Sequence, residues 1–176
     1  VMLLVAPRAV ARLAPDVRRR ALVLGALYGV GQILQTAGLA HTPASVSGFI
    51  TGLYVVATPL FAALVLKTRI TPATWGAVVL ATTGLGVLTL DGLSIGYGEA
   101  ITLVAALLYA AHIVALGAWS RPVDALGMSI LQILVIAAIC LVAALVSGEP
   151  GIVLPERGGD WLNLVYMALF AGAAAL

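Results

Sequence analysis

The chain has 176 residues, of which 62% are hydrophobic and only 9% charged, and its formal net charge is +2. Soluble globular domains carry about 25% charged residues, so a chain this poor in charge has no polar coat to face water and is an integral membrane protein. Its apolar runs are continuous rather than alternating over ~10 residues, which excludes a β-barrel and leaves a helical bundle. The lone Cys140 excludes an internal disulfide. No Cys/His cluster has metal-ligand spacing, so neither metal nor cofactor is expected. Paired carboxylates, HExxH, a phosphate-binding glycine-lysine loop and GxSxG are all missing, so the chain does not read as an enzyme. Basic residues interleaved with aromatics, the footprint of nucleic-acid binding, are missing too.

A spanning helix needs ~20 apolar residues. The opening VMLLVAPR reads as the end of an earlier span, stopped by Pro7 and Arg8. Five runs then qualify: 21–40, 44–66, 72–90, 99–119 and 125–146. Residues 161–176 begin another span but would extend only about 24 Å, so the chain reads as a piece of a longer protein. Loops on one side hold Arg8, Arg12, Arg18, Arg19, Arg20, Lys67, Arg69 and Arg121. Those on the other hold Asp91, Glu99, Glu149, Glu156 and Asp160, with Arg157 alone among basic residues. Positive charge marks the cytoplasmic side, which places loops 7–20, 67–71 and 120–124 there.

The segment GALYGVGQIL (25–34) aligns without gaps on MALFAGAAAL (167–176). An odd number of crossings separates the copies, so they run in opposite directions, as in transporters built from inverted repeats with a site between them.

Polar residues recur at helical spacing inside the spans. Gly25, Gly29, Gln32 and Thr36 share one face of the first span, and Ser47, Thr51, Tyr54 and Thr58 one face of the second. The third carries Trp75, Thr82, Gly86 and Thr89, the fourth Thr102, Ala105, Tyr109 and His112, and the fifth Ser129 and Gln132. Hydroxyls and small residues serve helix packing, and Gly25/Gly29 and Gly48/Gly52 form two GxxxG pairs suited to it. Gln32, Gln35 and His112 are harder to absorb, because lipid satisfies none of their donors and acceptors and they must face protein or a water-filled cavity. Gln32, Thr36, Ser47, Thr51, Tyr54, Tyr109, His112 and Gln132 are therefore the candidates for a substrate path. Pro59 is expected to kink the second span by leaving the carbonyl of Val55 without its donor.

The stretch 35–90 resembles the end of the first half of an EamA-type permease of the drug/metabolite transporter superfamily. Its signs are the A-x-x-x-G-F-I run from Ala44 to Ile50, the T-P-L-F from Thr58 to Phe61, and the closing G-x-G-V-L. GYGEAITLVAALLYAAHIVAL (96–116) is similar to the start of the second half, with Glu99 opening its first helix. His112 stands where the family pattern has an aromatic residue. The resemblance implies an all-α polytopic bundle of ten helices in two inverted five-helix halves, truncated here at both ends. Residues 1–92 would be the later part of the first half (the end of helix two, helices three to five). Residues 93–176 would be the earlier part of the second (helices six and seven, the start of helix eight).

The function expected on this basis is secondary transport by alternating access in the bacterial inner membrane, with export of amino acids or related small metabolites. The expected partners are a small-molecule substrate and the lipid bilayer, and a homodimer is compatible with the sequence. Two rivals remain open. A sugar-phosphate or nucleotide-sugar exchanger of the same superfamily would need Lys or Arg inside the helices, and none lies between residues 21 and 66. A non-transporting membrane scaffold would bury its polar faces entirely in helix contacts.

Overall fold

The computed structural model of the chain describes residues 7–89, 96–147 and 157–166. Every regular element among them is a helix. Four helical stretches are long and apolar enough to cross a membrane: Pro15–Leu39, Ala44–Leu66, Tyr97–Trp119 and Ala125–Val146. This is the all-α polytopic membrane fold that the composition demands. In chain order α1 is Pro7–Ala11, α2 Pro15–Leu39, α3 Ala44–Gly52, α4 Tyr54–Leu66, α5 Pro72–Thr89, α6 Tyr97–Trp119, α7 Ala125–Val146 and α8 Gly158–Tyr166. The second copy of the repeat (167–176) and the acidic residues Asp91, Glu149 and Glu156 lie outside the described residues.

Two expectations need correcting. Residues 7–20 are not a plain loop: α1 occupies its start, and α2 begins at Pro15, six residues before the apolar run. Proline suits a first helical position because its missing N–H would be unpaired there anyway, and Asp16 complements the N-terminal dipole. Arg18, Arg19 and Arg20 therefore ride on the first turns of α2. Arg18 donates to the carbonyl of Ala11 at 2.7 Å, closing the end of α1. The second correction concerns 44–66, which is not one unbroken helix but is interrupted at Leu53. The Leu53 N–H bonds the carbonyl of Ile50, a tighter turn than the helix on either side. Pro59 sits inside α4, and in the turn before it the Thr58 hydroxyl donates to the carbonyl of Tyr54 at 2.6 Å. The exit from α4 runs through Lys67 in the left-handed region (φ 54°, ψ 32°), the usual backbone for a helix end but rare for a lysine.

The contacts divide the chain into two units. The first comprises the described residues up to Gly25 and from Ser120 onward. Here Val17, Ala21 and Leu24 are buried at steps of four and three, one stripe of α2, with Leu13 buried in the turn before it, and α1 packs against α7, where Met128 and Ile130 are buried. Two glycines permit the approach. A Cβ on Gly127 would come within 2.8 Å of the Ala9 carbonyl oxygen, and one on Gly25 within 2.8 Å of the Val135 Cβ.

The second unit is Ala26–Trp119, and α6 is its centre. The helices α3 and α4 pack against α6, whose Gly98, Thr102, Ala105, Tyr109 and His112 are all buried, at steps of four, three, four and three. The later half of α2 and the turn after it run antiparallel to α6: Gly31 meets the ring of Tyr109, Gly38 meets Thr102, and Thr42, in the turn, meets Gly98. That direction is the one the alternation of spans requires. The last two contacts are reciprocal. Gly38 and Thr42 are four residues apart, as are Gly98 and Thr102, and each threonine hydroxyl occupies the space a Cβ would take on the facing glycine. By contrast a Cβ on Gly48 or Gly52 would meet nothing within 4 Å, so the packing expected of that GxxxG is not seen among the described residues.

Candidate functional site

Most hydroxyls in these helices are satisfied by their own backbone. Thr36, Thr51, Thr58, Thr82, Thr83 and Thr102 each donate to the carbonyl four residues earlier, at 2.6–2.8 Å. Back-bonding of this kind keeps the hydroxyl from costing the helix a desolvated donor. It also leaves the hydroxyl oxygen able to accept.

One threonine uses that capacity. The Thr51 Oγ, its proton committed to the Ser47 carbonyl, accepts from the Gln35 Nε2 at 3.0 Å. This fixes the Gln35 amide, since only its NH2 can face an oxygen that has no proton left. Its Oε1 must then point the other way, and there it accepts from the Tyr109 hydroxyl at 2.8 Å. The same hydroxyl lies 3.2 Å from the Gln32 Oε1. A directional chain thus runs Tyr109 to Gln35 to Thr51 to Ser47, joining α6, α2 and α3. A phenol has one proton, and the shorter contact marks Gln35 as its main acceptor.

Aromatic rings close one side. The Tyr28 ring lies 4.9 Å from that of Tyr109, tilted by 41°, and 5.3 Å from the imidazole of His112, edge to face at 71°. Tyr109 and His112 are buried, whereas Tyr28 is 36% exposed. Gly31 makes the cluster possible, because a Cβ there would stand 2.9 Å from the Tyr109 ring. On the other flank the rings of His41 and Tyr97 meet edge to face at 5.4 Å, beside the paired glycines and threonines. Thr42 is 6% exposed, and its Oγ has no hydrogen-bond partner.

Of the path candidates, Gln32, Thr51, Tyr109 and His112 come together, and Ser47 joins through its carbonyl. Thr36 is exposed and bonded to its own helix. Tyr54 is half-buried and gives its carbonyl to Thr58. Gln132 belongs to the first unit, where it is 6% exposed and its Nε2 donates to the Met128 carbonyl at 3.3 Å. Gln35 and Tyr28 belong to the cluster but were not on the sequence face drawn through Gly25, Gly29, Gln32 and Thr36. Their signal was present: Tyr28, Gln32 and Gln35 follow at steps of four and three. No charged side chain lies on α2 between Ala26 and Leu39, on α3, or on α6 beyond Glu99.

The profile of the EamA-like transporter family matches residues 1–90. The chain belongs to the EamA-like transporter family. It is also 37% identical over 99 residues to purine permease 2 of Arabidopsis thaliana, an alignment covering 51% of this chain and 28% of that relative. No solved structure matches the chain. Within this EamA-like transporter chain, the uncharged cluster just described presents hydrogen-bond donors, acceptors and aromatic rings. It has no fixed cation with which to hold an anion.

Proposed function

We propose that the chain is the central part of a secondary transporter that exports small neutral or zwitterionic metabolites by alternating access. The observation that carries this reading is the bridge of Tyr109, Gln35, Gln32 and Thr51 across three helices, uncharged yet rich in donors and acceptors. Amides and phenols at membrane depth need partners, because lipid has none to give, and a solute passing between the halves would exchange with them. The residues divide between a first half (1–92) and a second half (93–176), so that Gln32 and Gln35 come from one and Tyr109 from the other. A site at the junction of two inverted halves is the arrangement alternating access uses.

The substrates that fit are amino acids or their relatives and, given the printed name of the relative, a purine base. Lacking fixed cations, the cluster fits a phosphorylated sugar poorly. A scaffold would consume all its polar groups internally, and the Gln32 NH2 has no hydrogen-bond partner among the described residues. The protein would lie in the bacterial inner membrane with 7–20, 67–71 and 120–124 facing the cytoplasm.

The test is to produce the complete reading frame in cells beside a Gln32→Ala/Tyr109→Phe version at matched membrane abundance. Metabolites accumulating in the medium are compared by mass spectrometry. A class exported by the intact protein and lost in the variant supports both transport and site. Equal export by the two removes the site, and equivalence to empty cells for export and uptake alike removes the transporter.

A further inference from the structure

The two glutamines of the cluster are chemically alike but differently held. Gln35 has both ends of its amide in use: its Nε2 on Thr51 and its Oε1 on Tyr109. Neither end can turn without breaking a bond, because Thr51 has already given its proton to Ser47 and can only accept. Gln32 is held at one end alone, by the longer of the two contacts to Tyr109. The amide oxygen of Gln32 has two lone pairs, of which the shared phenolic proton can engage only one, and its NH2 has no hydrogen-bond partner among the described residues. The Gln32 side chain is half-buried rather than enclosed, one turn beyond the half-open ring of Tyr28.

We propose that Gln32 is the residue that reads the transported solute, while Gln35 and Thr51 are positioning residues that set the Tyr109 hydroxyl beside it. This deepens the transporter reading and rests on it. A carboxamide free at its NH2 and able to accept at its oxygen pairs with a solute carrying an acceptor and a donor side by side. Such edges belong to a primary amide, a lactam or an amino-substituted heterocycle, and a glutamine meets the adenine edge in this bidentate way. The Tyr28 ring, tilted against Tyr109, edge to face with His112 and 36% exposed, is the aromatic surface one turn from that amide. The solute would be neutral, since nothing charged faces the cluster from α2, α3 or α6.

Discrimination, rather than activity, tests the proposal. Transport of labelled adenine is measured in competition with adenine or with unsubstituted purine, which keeps the ring system but lacks the amino donor. The intact protein should prefer adenine by about tenfold, the usual worth of one bidentate edge contact. Gln32→Ala should bring the preference to within about twofold, and Gln32→Asn, with the same amide on a shorter stem, should recover part of it. Thr51→Val removes the acceptor that orients Gln35. It should slow transport of both bases by a common factor and leave the preference intact. Full preference in Gln32→Ala, or its loss in Thr51→Val, would overturn the assignment while leaving the transporter standing. A protein that exports metabolites but neither binds nor carries adenine would overturn the assigned edge. One indistinguishable from empty cells for every solute would overturn transporter and assignment together.

Discussion

At the scale of single residues, threonine and glutamine behave in opposite ways. A threonine hydroxyl can reach the carbonyl one turn earlier and so needs nothing from outside its helix. A glutamine amide cannot satisfy both its ends locally, and it draws other helices in. Gln32 accordingly reaches across to Tyr109, whereas Thr36, which shares its face by spacing, is bonded to the Gln32 carbonyl. Gln35, three residues further on, needs a partner for the same reason but lies off the face drawn through Gly25, Gly29, Gln32 and Thr36. Thr42 behaves differently, a buried hydroxyl without a hydrogen-bond partner among the described residues. Its replacement by valine should stabilise the protein by about 1 kcal/mol, since an unsatisfied buried group costs about 1–3 kcal/mol. Thermal unfolding of the purified protein in detergent would check this, and a lower midpoint would mean the hydroxyl is bonded after all. Gly31→Ala should do the reverse at the cluster. The added methyl displaces the Tyr109 ring, lengthens its bond to Gln35, and should lower transport more than stability.

Helices were legible where their residues carry a period and illegible where a local device sets their ends. The limits of α7 coincide with its apolar run, whereas α2 begins well before its own because Pro15 and Asp16 start a helix that hydrophobicity cannot mark. The break at Leu53 has no sequence signal comparable to Pro59, which drew the expectation of a kink to itself. Glycine pairs were equally divided: the GxxxG at Gly48 and Gly52 is conspicuous and uncovered, while the two that seat threonines are written GxxxT. Substitution separates them. Gly98→Ala puts a methyl against the backbone of Gly38 and His41, at 2.9 Å from each. Overpacking of this kind costs about 1–3 kcal/mol, and the unfolding midpoint should fall accordingly. Gly48→Ala meets nothing and should be neutral or slightly stabilising, because alanine favours the helix.

Across the whole molecule, composition alone sufficed for the membrane class, and the family resemblance found in the sequence agrees with the EamA-like profile. Sidedness follows from the distribution of arginine and lysine, and labelling tests it. In a Cys140→Ala background, Thr68→Cys should react with a membrane-impermeant maleimide only after the membrane is opened. Pro43→Cys, on the opposite side by the same reasoning, should react in intact cells. The reverse pattern would invert the topology and turn the proposed exporter end for end.

The reciprocal seating of Thr42 on Gly98 and of Thr102 on Gly38 also limits how α2 and α6 can move. A slide of either helix along its axis would drive a threonine onto a neighbouring residue that has a Cβ, and a rotation would carry both threonines off their glycines at once. Withdrawal along the line joining the two axes is the one displacement that meets no steric barrier. If these ends part during a working cycle, they open as a wedge and return to the same register.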